Sequence, residues 1–230
     1  MNKVYFVTGI DTGVGKTIAT GMMARFLLKR NLRTATVKLV QTGCHGFSED
    51  LDLHRKLMGC GILPEDTEGL TAPQIFDFPA SPHLAAALEK SAVNAEKIAD
   101  AVRRVSERRD VTLVEGAGGP AVPLTEDLLT IDFIARQGFP VILVSSGKLG
   151  SLNHTILSIE ALVRRKMRLA GVVYNYCPDA DPIIDADTPR MIRKYLRKNG
   201  LKDALVILGK VDADRPADVD FSALFTEERS

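Results

Sequence analysis

Cysteine is scarce in this chain, with three among 230 residues: Cys44, Cys60 and Cys177. None forms a C-x-x-C pair and an odd number makes a poor disulfide framework, so a stapled secreted domain is excluded and a reducing compartment is expected. Cys44 and His45 are adjacent but lack metal-site spacing, so no zinc is assigned. Long apolar runs are missing too, since no stretch approaches the roughly 18 residues that span a bilayer. Met1-Asn2-Lys3 and the short run Val4 to Val7 lack the h-region and cleavage site of a signal peptide. A cytoplasmic protein without membrane association is the expectation. Nor is there an excess of one charge: 30 Lys+Arg face 29 Asp+Glu, a formal net charge of +1. Without a global basic field no nucleic-acid partner is expected, and recognition must be local. Internal repeats and low-complexity tracts are also absent.

What is present is the composition of one soluble domain, 45% hydrophobic and 26% charged, long enough to bury a full core. Short β-branched runs alternate with helical patterns, which predicts a single-domain α/β fold: a mostly parallel, doubly wound sheet with flanking helices. The predicted strands are Val4–Thr8, Thr34–Leu39, Val111–Glu115, Pro140–Val144, Leu169–Tyr174 and Ala204–Leu208. Their near-continuous apolar character suits a sheet covered on both faces. Lys16–Arg30 carries Ala19, Met22, Met23, Phe26 and Leu27 at helical spacing, and Ala95–Val105, Ile156–Val163 and Met191–Leu196 read the same way. The proline-rich stretch Gly59–Pro82 reads as an excursion within the domain. The domain is expected over residues 1–211, with 212–230 an acidic C-terminal extension, solvated apart from Phe221–Phe225.

The first predicted strand runs into Gly9-Ile10-Asp11-Thr12-Gly13-Val14-Gly15-Lys16-Thr17 and then a helix, the context a P-loop requires. Glycines let backbone N–H groups turn toward an anion at a positive helix end, Lys16 reaches terminal phosphates, and the Thr17 hydroxyl can ligate Mg²⁺. Five residues separate Gly9 from Gly15 where the plain pattern has four, so the loop is a variant of a P-loop NTPase-like fold. Asp11 stands where partition-type ATPases carry a second lysine, which argues against that class.

Other chemistry-bearing residues fall at predicted strand ends, where open α/β sheets bind ligands. Lys38 ends the second strand, a position that also suits a merely solvated lysine. Glu115 ends the third, before Gly116-Ala117-Gly118-Gly119; it can hold Mg²⁺ or serve as a turn carboxylate. Asp50 opens a helical pattern, where dipole stabilisation explains a carboxylate equally well, and Asp52 lies two residues on. Lys148 to His154 follow the fourth strand and start a helix, which suits a carboxylate ligand. His154 and His83 are each readable as a general base or as a helix-end hydrogen-bonding residue.

Taken in order, the loop, Lys38-Leu39-Val40-Gln41-Thr42-Gly43, Ser81-Pro82-His83, Val114-Glu115-Gly116-Ala117-Gly118-Gly119, Lys148-Leu149-Gly150 with Asn153-His154, and Asn175 resemble the dethiobiotin synthetase family from about Tyr5 to Gly209. The resemblance implies a homodimeric, Mg²⁺-dependent ligase of biotin biosynthesis that uses ATP to join CO₂ to 7,8-diaminononanoate and close a cyclic urea. It places Lys38, Lys16 and Thr12 in catalysis. Gly13, Val14, Gly15, Lys16, Thr17 and Ile18 would wrap the phosphates, with Gly116, Ala117 and Gly118 beside them and Asn175 at the base. Thr17, Asp50 and Glu115 would serve Mg²⁺. Thr42, Lys148, Gly150, Ser151, Leu152 and Asn153 would hold the diamine, partly across a subunit interface. Leu39 departs from a proline common in the family, and Lys210-Val211-Asp212 departs from its acidic-proline pattern near the base. A positioning or metal-delivery ATPase would be expected to show the second loop lysine, an amphipathic terminus or a cysteine pair. An amidating ligase of the cobyrinate type would need a further ammonia-generating domain.

Overall fold

The computed structural model describes residues 3–226; Met1, Asn2 and positions 227–230 of the expected extension lie outside the described residues. In chain order the elements are β1 (Lys3–Gly9), α1 (Lys16–Leu28), β2 (Thr34–Lys38), β3 (Gln41–Thr42), α2 (Glu49–Met58), α3 (Pro64–Thr67), β4 (Ile75–Phe76) and α4 (Pro82–Leu88). There follow α5 (Ala95–Arg108), β5 (Val111–Glu115), β6 (Pro123–Thr125), β7 (Leu128–Leu129), α6 (Thr130–Gln137), β8 (Val141–Ser146) and α7 (Ser151–Arg164). The chain closes with β9 (Leu169–Asn175), α8 (Pro182–Lys198), β10 (Leu205–Leu208) and α9 (Ser222–Phe225).

Six strands form one parallel sheet in the order β10-β9-β8-β1-β5-β2. Strand β1 is central, pairing Lys3 with Val111 on one side and Phe6 with Val141 on the other. Every residue of β2, β5, β8 and β9 is buried, as expected where helices cover both faces and no alternation with polar residues is possible. The sheet core includes Phe6, Val37, Leu113, Val144 and Val173. The excursion between α2 and α4 carries β4, which pairs with β3 from before α2, and feeds Leu70 and Phe76 into the same core.

Local chemistry sets several helix starts. Ser48 caps α2 by accepting from the Leu51 N–H, three acids occupy the first turn, and Gly59 ends the helix at φ 68. These features respectively satisfy orphan donors, complement the dipole and relieve the left-handed backbone. Helices α7 and α8 begin earlier than the periodicity indicates, at Ser151 rather than Ile156 and at Pro182 rather than Met191. In α8 the start is set by Asp181, whose carboxylate accepts from Ile183 N at 2.8 Å, followed by Pro182 at the first helical position. The interior Pro189 and the acidic Asp185 of the first turn conceal this segment from an apolar-period reading.

Beyond β10 the chain crosses α1 and α2. Asp218 pairs with Lys29, Asp220 lies 3.6 Å from Arg30, and Asp214 lies 2.7 Å from Lys56. Phe221 and Leu224 are fully buried. The Phe221 ring meets Phe26 edge-on at 5.7 Å, and Phe225 meets Tyr5 at 5.1 Å. Among the described residues no helix is long and apolar enough to cross a membrane.

Candidate active site

The turn from β1 into α1 needs glycine at two places, Gly13 at φ 73 and Gly15 at φ 84. At Gly15 space is also decisive, because a Cβ there would stand 1.9 Å from Asn175 Nδ2. That amide, buried at the end of β9, donates to the Val14 carbonyl at 3.1 Å. Asn175 thus braces the loop from behind.

Lys16 opens α1 and is only 7% exposed. Its Nζ donates to the Asp11 carbonyl at 2.9 Å, so the loop curls around its own lysine. Burial lowers its pKa to about 8, against the pull of Glu115 toward a higher value. The ammonium is therefore poorly solvated and ready to gain from an anionic ligand.

Next to it three oxygen-bearing side chains converge. The Thr17 hydroxyl lies 2.7 Å from Asp50 Oδ1 and 3.1 Å from Glu115 Oε1. Lys38 Nζ bridges the two acids, bonding Asp50 Oδ2 and lying 2.8 Å from Glu115 Oε1. Burial acts to deprotonate Lys38, but the Glu115 and Asp50 carboxylates outweigh it and hold the ammonium above its ordinary value. Burial likewise favours a protonated Glu115, and Lys38 and His54 overcome this to keep its carboxyl well below the usual range. A hydroxyl and two carboxylates, all hard oxygen donors, suit Mg²⁺, which takes one or two carboxylates beside waters and substrate phosphates. Among the described residues no group of three His, Cys, Asp or Glu side chains gathers as a metal cage.

These groups line one cleft of about 740 Å³, together with Thr12, Gly13, Ile18, Thr42, Ala117 and Gly118. The Gly116 carbonyl accepts from Lys38 at 3.4 Å. Asp52 faces solvent instead, so Asp50 is the carboxylate of this segment that enters the cleft. A second cavity of about 450 Å³ lies alongside, lined by Asp11, Thr12, Pro120, His154 and Leu157 among others. Thr12 borders both. The structure does not bring Lys148 to Asn153 into either cavity within one chain. Lys148, Gly150 and Asn153 are exposed, Leu152 is half-buried, and the Ser151 hydroxyl is spent on Ser146 at 3.1 Å. His83 bonds Ser81 at 3.1 Å and does not border the cleft, although Ser81 does.

Residues 3–218 match the family described as an AAA domain. The ATP-dependent dethiobiotin synthetase BioD 2 of Pasteurella multocida strain Pm70 is 46% identical over 198 residues, covering 86% of this chain and 93% of that protein. The ATP-dependent dethiobiotin synthetase BioD of Chlorobaculum tepidum is 44% identical over 205 residues, covering 89% and 86%. The chain belongs to the dethiobiotin synthetase family. Among solved structures, the signal recognition particle receptor FtsY from Elizabethkingia anophelis in complex with GDP superposes with a TM-score of 0.57 over 99% of this chain and 64% of that one, at 15% identity. The pNOB8 ParA bound to nonspecific DNA gives 0.56 over 92% and 86%, also at 15%. At that identity they attest the P-loop NTPase-like fold alone.

For a dethiobiotin synthetase family member the site holds one group that the sequence reading omits. His54, fully buried on α2, places Nε2 2.9 Å from Glu115 Oε2 and Nδ1 3.0 Å from Thr36 Oγ1. The signal available was the i, i+4 spacing from Asp50, which puts both on one helix face. The apolar stripe of Leu53, Leu57 and Met58 obscured it.

Proposed function

We propose that the protein is an ATP-dependent dethiobiotin synthetase of biotin biosynthesis: a cyclo-ligase that uses Mg²⁺-ATP to carboxylate 7,8-diaminononanoate and close its ureido ring. The observation that carries this reading is the meeting of Lys16, Lys38, Thr17, Asp50 and Glu115 at the carboxyl ends of β1, β2 and β5 in one cleft. One amine takes up CO₂ and loses a proton to give a carbamate, whose oxygen attacks the γ-phosphorus as ADP leaves. The second amine then attacks the mixed-anhydride carbon, expels phosphate and closes the ring.

The phosphorylation step brings two anions together, so the demand on the protein is charge and position. The loop amides from Gly13 to Ile18 and the Lys16 ammonium bind the phosphates. Lys38 meets the carbamate and γ-phosphate oxygens, offsetting their repulsion as they close. Thr17, Asp50 and Glu115 would hold Mg²⁺, which supplies electrostatic neutralisation of the phosphate oxygens. Thr12, on the rim shared by both cavities, is placed to orient the group passing between phosphate and diamine. Thr42 faces the reacting end from the cleft wall.

The diamine's remaining chain and carboxylate occupy the second cavity, completed across a homodimer by Lys148, Gly150, Ser151, Leu152 and Asn153. The exposure of Lys148, Gly150 and Asn153 around the start of α7, with Leu149 81% exposed and Leu157 55%, supports an interface there. Asn175 and the Gly116-Ala117-Gly118 turn complete the nucleotide site in this cytoplasmic enzyme. The test is release of phosphate from ATP that depends on both diamine and bicarbonate, with mass detection of the cyclic urea. Phosphate release indifferent to the diamine would overturn the reading. Sedimentation at assay concentration checks the dimer; a fully active monomer would refute it.

A further inference from the structure

Glu115 meets the cleft through Oε1, while its other oxygen belongs to a separate arrangement that reaches deep into the protein. Oε2 has one hydrogen-bonding partner among the described residues, His54 Nε2 at 2.9 Å, and both side chains are wholly buried. Behind the imidazole, Nδ1 lies 3.0 Å from Thr36 Oγ1. That hydroxyl also receives Arg55 Nη1 at 2.7 Å. Arg55 is anchored in turn by Asp66, through Nε to Oδ2 at 2.8 Å and Nη2 to Oδ1 at 2.6 Å.

The direction of each hydrogen bond in this row follows from its first member. A guanidinium donates and never accepts, so Thr36 Oγ1 must accept from Arg55. The hydroxyl hydrogen of Thr36 is then left to be donated, and Nδ1 of His54 is the acceptor within reach. An imidazole that accepts at Nδ1 carries its hydrogen on Nε2, which points it at Glu115 Oε2. Reversing the sense would leave a buried hydroxyl hydrogen without an acceptor, a cost of about 1–3 kcal/mol.

We propose that His54 is a positioning residue for Glu115: an Nε2–H imidazole, its tautomer set by the Arg55–Thr36 row, that ties Oε2 into the protein so that Glu115 presents only Oε1 to the cation of the site. The proposal rests on the reading of Glu115 as a metal-facing carboxylate. The chemistry resembles that of histidine–carboxylate pairs around metal ions with the roles exchanged, since here the carboxylate faces the cation and the imidazole orients it. Without the imidazole N–H, Oε2 is a buried acceptor with no partner, and the carboxylate is free to rotate about its terminal bond and take its cleft-facing oxygen out of line with Thr17 and Lys38.

Two measurements test this on the full-length protein. Histidine labelled with ¹⁵N in the nucleotide-free protein reports tautomers through long-range proton–nitrogen couplings. Of four histidines, one should show a fixed Nε2–H form with unprotonated Nδ1 at neutral pH, and that signal should vanish in His54→Gln. An Nδ1–H form at this residue, or averaging between the two tautomers, overturns the assignment. The second measurement is Mn²⁺ binding in the presence of a non-hydrolysable ATP analogue, followed by electron paramagnetic resonance. A glutamine amide nitrogen reaches about the position of Nε2, whereas that of asparagine stops near Nδ1. His54→Leu and His54→Asn should therefore weaken Mn²⁺ by roughly ten-fold or more, and His54→Gln should restore most of it. Should the leucine variant fail to fold, the Gln–Asn contrast still reads donor position, because the two differ by a single methylene. Equal Mn²⁺ affinity in Gln, Asn and wild type would refute positioning. Failure of the functional reading looks different: wild type itself would then bind Mn²⁺ no better with the nucleotide than without it, while the tautomer result stands on its own.

Discussion

Replacing the loop lysine by methionine should make the protein more stable while abolishing its phosphoryl chemistry. Lys16 is buried and its ammonium is held to a pKa of about 8 against an ordinary 10.5, with loss of hydration the leading cause. At 1.36 kcal/mol per pH unit, that depression amounts to about 3 kcal/mol of unfavourable charge burial in the folded state at neutral pH. The bond from Nζ to the Asp11 carbonyl returns roughly 1 kcal/mol. A methionine of similar length keeps the packing and carries no charge, so Lys16→Met should gain about 2 kcal/mol, or roughly 4–8 °C in Tm for a domain of this size. The pH dependence supplies a control. Between about 8 and 10.5 the unfolded chain holds a proton on Lys16 that the folded protein has released, so wild-type stability rises with pH through that window. The advantage of the variant should accordingly be full below pH 8 and shrink above it. Urea unfolding of the nucleotide-free protein at several pH values measures this, and ATP should stabilise wild type but not the variant. A variant equal to or weaker than wild type at pH 7, or a gap independent of pH, would refute the reasoning.

Three further outcomes are expected. Glu115→Gln and Asp50→Asn should raise the Mg²⁺ concentration needed for half-maximal activity and Asp52→Asn should not; Glu115→Gln should also lower stability in urea unfolding, since it takes from buried Lys38 one of its two carboxylate partners. Lys38→Leu should lower the single-turnover rate on the order of 10² or more with ATP binding changed much less, and Lys38→Arg should restore only part because a planar guanidinium does not replace a compact ammonium. A drop in ATP affinity with the chemical step intact would assign Lys38 to phosphate binding instead. Gly15→Ala should abolish ATP binding in a filter or calorimetric assay, as its Cβ would collide with Asn175 and strain a left-handed backbone.

Much of this site was legible beforehand because its residues sit at strand ends, and the buried strands announce themselves by β-branched runs. Val111–Glu115 appears with the expected bounds, and Val141–Ser146 differs from Pro140–Val144 by one residue at its start and two at its end. What stayed hidden depends on rotation or on distant partners. Two residues along a helix turn about 200°, so Asp50 and Asp52 face opposite ways, and nothing local in Ser48-Glu49-Asp50-Leu51-Asp52 says which way the cleft lies. His54 reads as a polar interruption of an apolar stripe until Thr36 and Glu115, from two other strands, are brought against it. The two-residue pairing of Gln41–Thr42 with Ile75–Phe76 is too short for any periodic signal. The early start of α8 was masked by Pro189, an interior residue that ordinarily argues against a helix.

The central place of β1 also governs when the protein can work as it leaves the ribosome. Lys3 pairs with Val111, Phe6 with Val141, and among the described residues β2 pairs only with β5. The phosphate loop precedes β5 and β8 in the chain, so it has no sheet to stand on until β5 has emerged, and none on its other side until β8 follows. Closing those long separations is entropically expensive and slow. A nascent chain halted between α5 and β5 holds every residue of Gly9–Thr17 and still lacks Glu115 and both of the strands that flank β1.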